Sequence, residues 1–100
     1  MIDLDFAFEA EPWLWKGEGA AWVFATLPRE LSADIWAFAP GRRGFGAVKV
    51  EVTVGGTTWR TSLFPSRERE AYMLPLKTAV RAAEGLEVGE PATFTLRVPT

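Results

Sequence analysis

The sequence contains no cysteine and no histidine. The first absence excludes disulfides, thiolate metal sites and cysteine nucleophiles. The second removes the one side chain whose unperturbed pKa lies near neutrality, and with it the usual general base and metal ligand. Zinc-dependent hydrolysis and Ser-His-Asp catalysis cannot be assembled from this chain alone, so no metal, cofactor or catalytic residue is expected. Asparagine and glutamine are missing too, while eight arginines stand against three lysines. Loss of thermolabile residues accompanies high working temperature, and a GC-rich genome produces a similar bias. There is no long hydrophobic run: the apolar, uncharged stretch Gly19 to Pro28 is too short to cross a bilayer. Residues 1–11 carry Asp3, Asp5, Glu9 and Glu11 and no base, the reverse of a signal peptide, so no membrane is expected and the cytoplasm is the expected compartment.

What is present describes one ordinary globular domain, residues 1–100. A chain of this length removes well over half of its unfolded surface from water on folding and needs no covalent staple. Its 48% hydrophobic and 24% charged content argues against disorder. A formal net charge of -2 supplies no field that would draw the domain onto a polyanion, so nucleic acid is not an expected partner.

Period-two alternation organises most of the chain. In residues 2–9, Leu4, Phe6 and Phe8 face one way and Asp3, Asp5 and Glu9 the other, the pattern of a half-buried strand. A Pro-Trp-Leu-Trp-Lys-Gly connector follows, then a Gly-rich turn at 17–19 and a second strand at 20–27, stopped by Pro28. Leu31, Ile35 and Phe38 recur at helical spacing and predict a short helix over 30–38, with Ser32 available as its N-cap if the helix begins one turn later. Val48, Val50, Val52 and Val54 share one face of the clearest strand. Gly55 and Gly56 then predict a tight hairpin turn into a return strand at 57–64. That strand puts Trp59 and Leu63 on one side and Arg60 and Ser62 on the other. After a charged loop at 66–70 come a short strand at 71–74, a helix ended by Gly85 in a left-handed cap, and a last strand at 93–98. Six short strands with one or two short helices suit a small closed β-barrel, because closure removes exposed edges.

Three ordered blocks also resemble a known family. They are Trp22 to Pro28 (WVFATLP), Gly46 to Ser62 (GAVKVEVTVGGTTWRTS) and Tyr72 to Arg81 (YMLPLKTAVR), the last followed by a Val-Gly-Glu turn at 88–90. Together they resemble the family called domain of unknown function 1905 over about residues 6–98. The resemblance implies a small β-barrel and a bacterial or archaeal source. Some relatives look like fusions to a helical domain associated with bacteriocin protection. It implies no activity and supplies no catalytic residues.

Candidate sites are few. Lys77 and Arg81 lie at i and i+4, on one helical face. With Arg60 and Ser62 beneath that face, they would form an anion pocket for carboxylate or phosphate. The bland alternative is a solvated helix face whose charges pair with nearby acids. The segment Gly41-Arg-Arg-Gly-Phe-Gly46 is not a Walker loop, since it lacks the Gly-Lys-Ser/Thr ending and a strand follows it. It reads as a flexible entry into the Val48 strand, with Arg43 offering charge if it borders a cleft. Of five tryptophans, Trp22 and Trp59 are expected in the core or lining the barrel, and Trp36 over a barrel end. Trp13 and Trp15 share parity and would form an exposed aromatic ledge. The acids of the first strand read as a solvated face, and Ser62 with Lys77 lacks an oxyanion hole.

Two functions follow as expectations. The first is a non-catalytic binding module that recognises an anionic small molecule or protein segment. The alternative is a structural protein that self-associates as a homo-oligomer through aromatic and strand surfaces. An enzyme ranks third.

Overall fold

The computed structural model describes residues 4–17, 19–38 and 46–99. Seven strands and two helices run in the order β1 (Leu4–Ala10), β2 (Trp13–Gly17), β3 (Ala20–Thr26), α1 (Arg29–Phe38), β4 (Val48–Val54), β5 (Thr57–Ser66), β6 (Ala71–Pro75), α2 (Thr78–Glu84) and β7 (Ala92–Val98). All pairings are antiparallel, in one curled sheet of order β1-β7-β4-β5-β6-β3-β2. β5 is the long strand of ten residues; its first half pairs with β4 and its end with β6, so it carries the sheet around its bend.

The expected closed barrel of six strands is thus corrected to a seven-stranded half-barrel. The extra strand is β2, whose residues read as a connector because Pro12 and Gly17 bracket only a few residues, too few to display a period. Its partner is β3, with Trp15 opposite Trp22. β1 and β2 are joined by Glu11 and Pro12 alone, yet occupy opposite ends of the sheet order. Three virtual bonds span at most roughly 11 Å, so this link obliges the sheet to curl. Among the described residues no ladder joins β1 to β2, and both remain edges. Pro12 is fully buried at the corner, and its carbonyl accepts the Gly89 N–H at 2.9 Å.

The alternation of the valine strand is borne out: Val48, Val50, Val52 and Val54 are all buried on the concave face. They meet Leu63, Leu74, Phe94 and Leu96, and Phe94 stacks on Phe8 with ring centroids 5.4 Å apart. The β4–β5 turn has Gly55 at φ 55°, the left-handed region that primed hairpin turns require. Helix α2 lies on the concave side, where it buries Val80. Thr57 Oγ1 donates to its Glu84 Oε2 at 2.6 Å. Gly85 caps it at φ 61°, and the Leu86 N–H returns to the Arg81 carbonyl with Leu86 packed on the core, as the sequence indicates.

Two side-chain expectations change. Ser32 does not cap α1. The helix begins three residues earlier, after Pro28, whose carbonyl accepts the Ser32 N–H. The Ser32 hydroxyl is instead buried and accepts the Tyr72 N–H at 3.0 Å, fastening α1 to β6. Trp22 is not core either. Val23, Ala25 and Leu27 hold the concave face, and strand parity turns Trp22 outward, 54% exposed. No helix among the described residues is long and apolar enough to cross a membrane.

Candidate functional site

The convex face of the sheet carries a row of alternating charge. Asp5, Arg97, Glu51 and Arg60 stand directly opposite one another across β1, β7, β4 and β5. Arg97 Nε meets Asp5 Oδ1 at 2.9 Å, and Arg60 Nε meets Glu51 Oε2 at 3.8 Å. Opposite charges on facing residues stabilise a sheet modestly and set its register. Ser62 sits one row away, opposite Lys49, and these residues border a shallow groove of about 620 Å³.

This placement separates the four residues expected to form an anion pocket. Arg60 and Ser62 come together on the convex face. Lys77 and Arg81 belong to α2 on the concave side, because Val80 must reach the core. Side chains of consecutive strand residues point to opposite faces, and α2 packs over the face to which Trp59 and Leu63 point. Lys77 is the exposed N-cap residue of α2. Arg81 folds back on its own helix, Nε donating to the Leu76 carbonyl at 3.2 Å and Nη2 to Thr78 Oγ1 at 3.1 Å. Arg43 lies outside the described residues.

The larger concavity is elsewhere, a cleft of about 890 Å³ between α1 and the β5–β6 turn. The helix turns Leu31 and Ile35 to the core, which leaves Arg29, Ser32, Ala33 and Trp36 (i, i+3, i+4, i+7) along the cleft. The opposite wall is the turn 67–70 with Pro65 and Ser66. Here Arg29 Nη2 meets Glu70 Oε2 at 3.3 Å. Glu70 takes φ 54°, the one non-glycine residue with positive φ among the described residues. A β-carbon makes that region costly by about 1–2 kcal/mol, so the turn is held against a local preference. The Glu70 N–H donates to the Arg67 carbonyl, and the Arg69 N–H to Ser66 Oγ. Arg67 reaches into the cleft without an ion pair to any described carboxylate.

Sequence reading missed this cleft, though two signals were there. Arg29 occupies the first turn of a helix, where a cation opposes the macrodipole by about 0.3–1 kcal/mol. The charged loop at 66–70 carries a Glu where a left-handed turn residue would ordinarily be Gly or Asn.

The aromatic ledge exists and is larger than expected. Trp13 and Trp15 from β2 stand opposite Phe24 and Trp22 from β3, all on the convex face. Trp13 is the anchored member. Its indole N–H donates to Thr26 Oγ1 at 2.8 Å, and the Arg69 guanidinium stacks 3.7 Å from its ring centroid. Trp15 and Trp22 are the exposed members.

Comparison with known proteins supports the resemblance read from the three sequence blocks. The family described as "Domain of unknown function (DUF1905)" matches residues 8–96. No curated protein matches the chain.

Proposed function

The chain belongs to the domain of unknown function 1905 family, and from that premise we propose that it is a non-catalytic binding module for a small anionic ligand. The ligand site in this reading is the cleft between α1 and the β5–β6 turn. The carrying observation is the Arg67 guanidinium in the larger of the two concavities, with no ion pair to a described carboxylate. Arginine presents a planar fork of donors that matches a carboxylate or phosphate in two-point contact. Arg29 is a second donor. An arriving anion competes with the exposed Glu70 carboxylate for it, and such exposed pairs hold by only about 0–1 kcal/mol. The Trp36 indole adds an apolar wall on which the carbon skeleton of the ligand rests.

Binding without catalysis is the simpler reading, because the chain has no histidine or cysteine to move protons or attack at neutral pH. The left-handed Glu70 supports a site here, since backbone strain concentrates where geometry serves binding.

The test is thermal denaturation with inorganic phosphate, succinate and citrate against sodium chloride of equal ionic strength. At ten times its Kd a ligand stabilises by about 1.4 kcal/mol, which raises Tm by roughly 6–11 °C in a domain of this size. Arg67→Ala should abolish the rise and leave the unliganded Tm unchanged. A rise that survives Arg67→Ala, or none with any anion, removes the proposal. A rise given by an acidic peptide alone reassigns the site to a protein segment.

A further inference from the structure

The two free edges of the sheet are chemically unlike. On the outer face of β1, Asp5, Ala7 and Glu9 alternate. A two-fold pairing of β1 with its own copy centred on residue 5, 7 or 9 sets carboxylate against carboxylate: Asp5 on Asp5, Asp5 on Glu9, or Glu9 on Glu9. Like charges directly opposite destabilise a strand pair, so this edge is guarded against self-pairing. β2 carries no such guard. Its outer face is Trp13, Trp15 and Gly17, without charge, and its one charged residue, Lys16, is on the other face.

β2 is also self-complementary. A two-fold axis through its middle residue maps Trp13–Gly17 onto itself, so Trp15 faces Trp15, Leu14 faces Lys16, and Trp13 faces Gly17 of the second copy. No charge meets a like charge in that register. Gly17 has no side chain, and the Trp15 ring of its own strand lies over it, in contact with the position a β-carbon would take. The Trp13 indole of the other copy therefore meets a ring where a side chain would have blocked it. In that register the Lys16 stem of the second copy would cover Leu14, which is 46% exposed despite belonging to the core-side parity. Pairing would join Trp22 and Trp15 of both copies into one four-indole row and supply partners to the outer-edge backbone groups of β2, which no strand among the described residues pairs.

We propose that the chain forms a two-fold homodimer by antiparallel pairing of β2 with β2 of a second copy, sealed by Trp13, Trp15 and Trp22. This surface shares no lining residue with the α1 cleft, although the turn 67–70 borders both through Arg69 on Trp13, and neither proposal depends on the other. An edge-strand contact with an aromatic seal falls at the small end of specific interfaces, so dissociation is expected on the order of 10 µM.

The chain has no native cysteine, which permits an unambiguous test of register. Leu14→Cys and Lys16→Cys proteins are made separately and oxidised alone and as a mixture. The two-fold axis sets residue 14 opposite residue 16, so the mixture should give a disulfide-linked dimer and each protein alone should not. Sedimentation of the wild type should show a concentration-dependent dimer. Trp15→Glu, which sets two carboxylates across the axis, should weaken it by at least about tenfold with an unchanged circular dichroism spectrum. A wild type that stays monomeric at about 100 µM would assign the face to a foreign partner and overturn the proposal. Cross-linking of either single variant as efficient as that of the mixture overturns it too.

Discussion

Replacing Ser32 by alanine removes one oxygen atom and tests how α1 is held. The hydroxyl is buried and accepts the Tyr72 N–H at 3.0 Å, on the side of β6 where the β3–β6 ladder has ended at Thr26 and Met73. Alanine leaves a buried N–H without its acceptor, which costs about 1–3 kcal/mol. Against this stands the better helix propensity of alanine, roughly 0.5 kcal/mol. The cavity created is small, so the net loss should be about 0.5–2.5 kcal/mol. For a domain of this size that lowers Tm by about 4–8 °C per kcal/mol. Urea unfolding followed by tryptophan fluorescence should show a lower midpoint at unchanged slope. Hydrogen exchange supplies the specific signature: the Tyr72 amide should lose protection beyond the global change, while amides of β4 should not. A Ser32→Ala protein as stable as wild type, with the Tyr72 amide still protected, would falsify the hydroxyl's role in docking the helix.

At position 70 two effects oppose each other. Glu70→Ala keeps the left-handed strain and loses an exposed ion pair to Arg29, so it should destabilise by only about 0–1 kcal/mol. Glu70→Gly also relieves the strain and should be more stable than the alanine variant by about 1 kcal/mol, a difference of roughly 4–8 °C in Tm; equal melting points would deny the positive φ. Leu63 is fully buried where β5 meets the Val48 end of β4, and Leu63→Ala should cost about 2–5 kcal/mol in urea unfolding. A loss below about 1 kcal/mol would mean that the concave face is not packed as described. The buried Trp59 indole N–H has no acceptor among the described residues. Trp59→Phe therefore gives up apolar contact while removing an orphan donor, and should shift stability by no more than about 1 kcal/mol; a larger loss would imply that the donor is satisfied in solution.

The resemblance to the 1905 family, the mainly β class and the β4–β5 hairpin were legible because they rest on local chemistry. Alternating valines declare a half-buried strand, and Gly55 declares the tight turn after it. The same holds for Gly85 and Leu86 at the end of α2. β2 was not legible, because the short run between Pro12 and Gly17 displays no repeat of its own. The candidate site was legible only in fragments. Arg60, Ser62, Lys77 and Arg81 have suggestive spacings, but a strand's parity decides which side of a sheet a residue serves. Spacing is silent about which side a helix will cover.

The sequence alone therefore determined the concave core and the turns, since burial parity and positive dihedrals are properties of neighbouring residues. It also excluded histidine and cysteine chemistry outright. Tertiary structure decided whether the sheet closed, where Trp22 pointed, and which arginines met. Those outcomes depend on contacts between residues distant along the chain, such as Arg29 with Glu70 and Ser32 with Tyr72, and their geometry is set only when α1 docks against β6.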